Sequence, residues 1–75
     1  MTENILEEIK RIVGEEYEAL EKHIQKATGT GDPNSYDKAM TVLGNFKKST
    51  GVKDKEKIEE YIKIVTEKYC EALFE

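Results

Sequence analysis

The chain has one cysteine, one proline, one histidine and one arginine in 75 positions, so it has little to staple or restrict its backbone. A single cysteine, Cys70, excludes an internal disulfide and an all-cysteine metal site, and makes a reducing cytoplasm the simpler home. There is no run of 18 apolar residues and no apolar signal segment near the start, so neither a membrane span nor a secretory leader is expected. The only proline and three of the five glycines fall at two places, Gly29 to Pro33 and Gly51, which suits long elements joined by short turns.

What is present is charge and periodicity. Charged and hydrophobic residues each make up 37% of the chain, enough apolar content for a core where the apolar positions keep register. The net charge is −4, a sign that argues against phosphate backbones and anionic membranes as partners. Residues 1–35 have a balance of −4, residues 36–68 of +2 and residues 69–75 of −2. At this length one domain over 1–75 is expected, with room for one core and for no large buried active site.

Ile5, Ile9, Ile12/Val13, Tyr17, Leu20, Ile24 and Ala27 follow one another in steps of three and four, and predict a long first helix over about 4–28. Asn4 with Glu7 fits a capping box and Thr2 is a rival cap. Gly14 interrupts this stripe, and close packing against another helix is the expected reason. Asp32-Pro33 suits an N-cap followed by proline at the first helical position. A second helix over 33–50 then carries Tyr36, Ala39/Met40, Leu43 and Phe46, with Val42 beside them. Asp54 can cap a third helix over 54–74, whose stripe is Ile58, Tyr61/Ile62, Val65, Tyr69 and Ala72/Leu73. The expected fold is all-α, an antiparallel up-down-up three-helix bundle. Ile64, Cys70 and Phe74 widen the third stripe beyond what two neighbouring helices would cover, so a partner-facing edge is expected there.

No group of side chains makes a convincing reaction centre. His23 has Leu20 three residues before it, where a Glu-x-x-His metal pair needs an acid. Glu15, Glu16, Glu18 and Glu21, with Glu56, Glu59 and Glu60, could chelate a divalent cation, but lysines spaced to pair with them on the same helices make solvated faces the simpler account. Cys70 lacks a neighbouring base and is expected to be a small, at least half-buried apolar residue. The turn from Gly29 to Ser35 lacks the Gly-Lys-Ser/Thr ending of a phosphate-binding loop. Lys47, Lys48, Lys53, Lys55 and Lys57 gather around the second turn, which gives a DNA-associated regulator as one alternative, although Asp54, Glu56, Glu59 and Glu60 sit among them.

One family resemblance offers a different function. The opening Ile5-Leu6-Glu7-Glu8-Ile9-Lys10-Arg11-Ile12-Val13, the chain length, the acidity and a serine just before a helix resemble an acyl carrier protein. That resemblance implies a phosphopantetheine arm on Ser35, as in an acyl or peptidyl carrier. Carrier proteins have Asp-Ser-Leu where this chain has Asn34-Ser35-Tyr36, and their first helix ends earlier. The main expectation is therefore a small acidic, non-catalytic module for protein–protein contact, an adaptor, inhibitor or accessory protein, with no cofactor and no metal. Its partner is another protein or itself, as a homodimer through the third helix. Tyr61 and Ile64 are the expected anchors, Phe74 an auxiliary contact and Tyr36 a weaker one.

Overall fold

A computed structural model describes the backbone of residues 2–74 and the side chains from Ile5 to Phe74. Among the described residues there are no strands. Helix α1 spans Thr2–Val13, a 3-10 turn spans Gly14–Glu16, and α2 spans Tyr17–Thr30; α3 spans Pro33–Ser49 and α4 spans Val52–Leu73. The class is the expected all-α bundle, and α3 and α4 lie close to the 33–50 and 54–74 expected for them.

The predicted helix over 4–28 is two helices. Gly14 has φ +63°, a left-handed conformation that costs an L-residue with a Cβ roughly 1–2 kcal/mol. The close packing expected at Gly14 is not its role: a Cβ built there would meet no atom within 4 Å. The glycine is present for the backbone angle it permits. A straight helix over 2–30 would be about 43 Å long, against a longest dimension of 36 Å for the whole molecule.

Side-chain pairs fix the course of each helix. Arg11, at the end of α1, reaches Asp54 at the start of α4 (2.9 Å), whereas Ile5 meets the groove shared with Val65 and Lys68. Helix α1 therefore runs back along α4. Lys47 pairs with Glu59 at 3.0 Å and Tyr36 with Thr66 at 2.7 Å, so α3 also opposes α4. Tyr17 and Tyr61 line one groove and a Cβ on Gly31 would lie against Ala72 and Leu73, so α2 runs alongside α4. Helix α1 is thus turned back against the others, with α4 in contact with all three.

The core is Ile5, Ile9 and Val13 of α1, Leu20 of α2, Ala39 and Leu43 of α3, and Ile58, Tyr61 and Val65 of α4. Nearly all belong to the stripes visible in the sequence. Helix α4 packs against α1, α2 and α3, and this third neighbour is what its wide apolar face requires.

Two helix ends differ from expectation. Helix α2 continues past Gly29 to Thr30, and Gly31 supplies the left-handed residue (φ 70°), its amide donating to the Ala27 carbonyl at 3.0 Å. Asp54 is not a cap: α4 starts at Val52 after Gly51, which makes no side-chain cap bond, and Asp54 engages Arg11 instead. The capping box of Asn4 with Glu7, and its rival Thr2, lie outside the described side chains, although the backbone is helical from Thr2. Asp32 and Pro33 behave as expected: the Asp32 carboxylate accepts from the Asn34 amide at 3.2 Å, with Pro33 at the first helical position.

Candidate functional site, an apolar groove between the turned-back helix and its neighbours

Among the described residues, two surface depressions stand out. The first is a narrow groove of 200 Å³ where α1 lies against α2 and α4. Helix α1 contributes Ile5 and Leu6, α2 contributes Tyr17, Glu21, Ile24 and Thr28, and α4 contributes Tyr61, Ile64, Val65 and Lys68. It lies where the Ile5 end of α1, turned back at Gly14, meets α2 and α4. Leu6 is 37% exposed at its rim. Glu21 and Lys68 supply one charge of each sign beside apolar walls, an arrangement suited to an apolar side chain with a polar neighbour.

The structure distributes the four expected contact residues unequally. Tyr61 is buried, 6% exposed, so it is part of the core and the floor of the groove and not a projecting anchor. Burial pushes its phenol up to about 12, with smaller contributions from Tyr17 and the Glu21 charge. Ile64 is half-buried in the groove wall. Phe74 is 91% exposed beyond the last turn of α4, beside the half-exposed Leu73. Tyr36 is turned inward, stacked on Tyr69 and bonded to Thr66. The structure thus brings Tyr61 and Ile64 into one groove, leaves Phe74 in solvent and places Tyr36 on the opposite flank of α4. Leu6, Tyr17 and Ile24 were legible only as members of an apolar stripe; their place in the groove depends on the reversal at Gly14.

The second depression, 660 Å³ and broad, is polar: Lys22, His23, Gln25, Lys26 and Thr30 of α2 face Asp32, Asn34, Ser35 and Lys38 at the start of α3. Ser35 is buried at 5% exposure, and its hydroxyl donates to the Asp32 carboxylate at 2.8 Å. That bond is the largest cause holding the Asp32 carboxyl below its ordinary range, with the Asn34 amide adding to it. The N-terminal amides of α3 are therefore already served by a carboxylate. The serine that a carrier-type arm would need is buried and committed to the same cap.

Among the described residues, no group of three or more His, Cys, Asp and Glu side chains gathers into a cation site. Glu15, Glu16, Glu18, Glu21, Glu56, Glu59 and Glu60 are all exposed, and Glu59 is engaged by Lys47. Cys70 is an exposed free thiol and not the half-buried apolar residue expected, because the outer face of α4 lies away from all three neighbours. Around the α3–α4 turn, Lys47 pairs with Glu59 and Arg11 with Asp54, so charges of both signs meet there. No described helix is long and apolar enough to cross a membrane.

No family model, no curated protein and no solved structure matches this chain.

Proposed function

We propose that this protein is a small non-catalytic helical module that works by protein–protein contact through the groove between α1, α2 and α4, in the manner of an adaptor, inhibitor or accessory protein. One observation carries the reading: a 200 Å³ apolar groove lies open beside Leu6 and Ile64. A domain of this size has little apolar surface to spare, so an open apolar cleft has a physical motive for a partner. The partner chemistry that fits is an apolar side chain entering between Leu6, Ile24 and Ile64, with polar contacts at Glu21 and Lys68.

The test is the double variant Leu6→Glu with Ile64→Glu, compared with the native chain for solution mass and for protein capture under native conditions. We expect capture or self-association to be lost while helical circular dichroism is kept. Identical behaviour of the two proteins in both measurements would refute the reading. Tyr61 is unsuitable for this test because its removal would open the core.

A further inference from the structure

A change at one residue would join α1 and α2 into a single helix. Val13, Glu16 and Tyr17 already hold right-handed helical angles, and the 3-10 turn between the helices buries none of its residues. Gly14 alone in that segment has a positive φ, +63°. The apolar rhythm from Ile5 to Ala27 runs through it unbroken, so the pattern suits a straight helix over 2–30 as well as the folded-back pair. What the straight form lacks is cover for Ile5, Ile9 and Val13, which are buried in the core that α1 shares with α4. We infer that Gly14 is a hinge through which α1 is exchanged between two copies of this chain, each copy's α1 filling the place on α4 that the other has vacated.

The directions of the helices suit this exchange. Arg11 meets Asp54 at the start of α4, and Ile5 lines one groove with Val65 further along it, so α1 runs antiparallel to α4. From Gly14, α2 then runs the other way, and a Cβ on Gly31 would lie against Leu73 at the end of α4. A straightened helix keeps the course of α2 and carries α1 past the start of α4, out of its own bundle. A two-fold axis at Gly14, perpendicular to that helix, reverses the second copy. The α4 of the second copy then lies antiparallel to the displaced α1, with the end of α1 at the start of α4, as within one chain. Ile5, Ile9 and Val13 meet the same α4 residues, and Arg11 meets Asp54 of the second copy. Only the hinge differs between the two forms, which makes the exchange a low-cost route to a dimer, and its reciprocity closes it at two copies. Glu15 and Glu16, both exposed, approach their counterparts near the axis. That like-charge cost, with the entropy lost on association, keeps the dilute chain single. The groove is rebuilt in the dimer with Ile5 and Leu6 of the second copy, so this inference and the groove reading stand or fall separately.

The experiment is sedimentation equilibrium from about 10 µM to about 1 mM, with every chain carrying Gly44→Ala to support the fold through helix propensity. Gly14→Ala penalises the left-handed angle in the single chain and favours the straight helix in both copies of the dimer. It should therefore strengthen dimerisation by about a hundredfold or more. Gly14→D-Ala, made by chemical synthesis, prefers the left-handed angle and should hold the chain as a monomer. In a dimer assembled from equal parts isotope-labelled and unlabelled Gly14→Ala chains, nuclear Overhauser contacts from the Ile5 and Ile9 methyls to Ile58 and Val65 should cross between copies. A dimer formed through any other surface keeps them within one chain. A Gly14→Ala chain that stays single or unfolded at about 1 mM overturns the inference, as does a dimer without those crossed contacts or one that Gly14→D-Ala forms equally well.

Discussion

The ring of Tyr36 lies parallel to that of Tyr69, 4.2 Å between centroids and 7° between planes, while its hydroxyl shares a hydrogen bond with Thr66 at 2.7 Å. One residue near the start of α3 is thus tied to α4 twice, once through its face and once through its edge. An aromatic pair contributes about 0.5–1.5 kcal/mol beyond burial, and a hydrogen bond about 1 kcal/mol. We expect Tyr36→Phe to lower the unfolding free energy by about 1 kcal/mol, and Tyr69→Ala to lower it further, in urea titrations followed by circular dichroism. A loss in both variants, with association unchanged, would assign Tyr36 to the fold and remove it from the contact surface expected of it.

The reversal at Gly14 is open to a contrast within one protein. Gly14→Ala forces a Cβ into the left-handed region and should cost about 1–2 kcal/mol, although no neighbouring atom is in the way. Gly14→Asn should cost less, because asparagine visits that region more readily. Gly44, inside α3 with equally free space around it, should respond in the opposite direction: Gly44→Ala is expected to stabilise by up to about 1 kcal/mol through helix propensity. Thermal midpoints of the three variants decide the matter. Equal responses at positions 14 and 44 would be incompatible with a left-handed turn.

Alkaline pH should unfold the protein through Tyr61. With its phenol pushed up to about 12 in the folded state, the native protein holds the Tyr61 proton over a range in which the unfolded chain has released it. Stability from this group is intact below about pH 10 and declines as pH rises from 10 toward 12, by about 2–3 kcal/mol in full. Burial also raises Tyr17, with Glu21 adding to it, and this acts in the same direction. The thermal midpoint should fall across that window, and Tyr61→Phe should flatten the fall; an unchanged profile in the variant would remove Tyr61 as its cause.

On the acid side the relevant group is Asp32, whose carboxyl is held below its ordinary value chiefly by the Ser35 hydroxyl. Its contribution is present above the unfolded value and is lost as pH falls through the lower folded one. Ser35→Ala should narrow that difference, measurable by carbon-detected titration of Asp32. The same buried hydroxyl should resist modification: incubation with coenzyme A and a broad-specificity phosphopantetheinyl transferase is expected to leave the intact mass unchanged. A gain of one arm, absent in Ser35→Ala, would return the chain to the carrier class.

Much of this protein was determined by local sequence. The three- and four-residue spacing from Ile5 to Ala27, from Tyr36 to Phe46 and from Ile58 to Ala72 specified helices and nearly every core residue, because helix formation and amphipathic burial are set by neighbours a few positions away. Asp32-Pro33 determined the start of α3 for the same reason. The reversal at Gly14 was decided elsewhere. Val13 and Tyr17 are four residues apart, so the apolar rhythm passes through the glycine unbroken, and periodicity cannot distinguish a straight helix from one folded back at a single left-handed residue. What selects the fold-back is the apolar width of α4, too great for α2 and α3 to cover, which α1 covers with Ile5 and Ile9. The apolar surplus was legible on α4. That most of it is satisfied within the chain, leaving only a groove at Leu6 and Ile64 and a projecting Phe74, depends on contacts between residues fifty or more positions apart, and only the tertiary structure decides those.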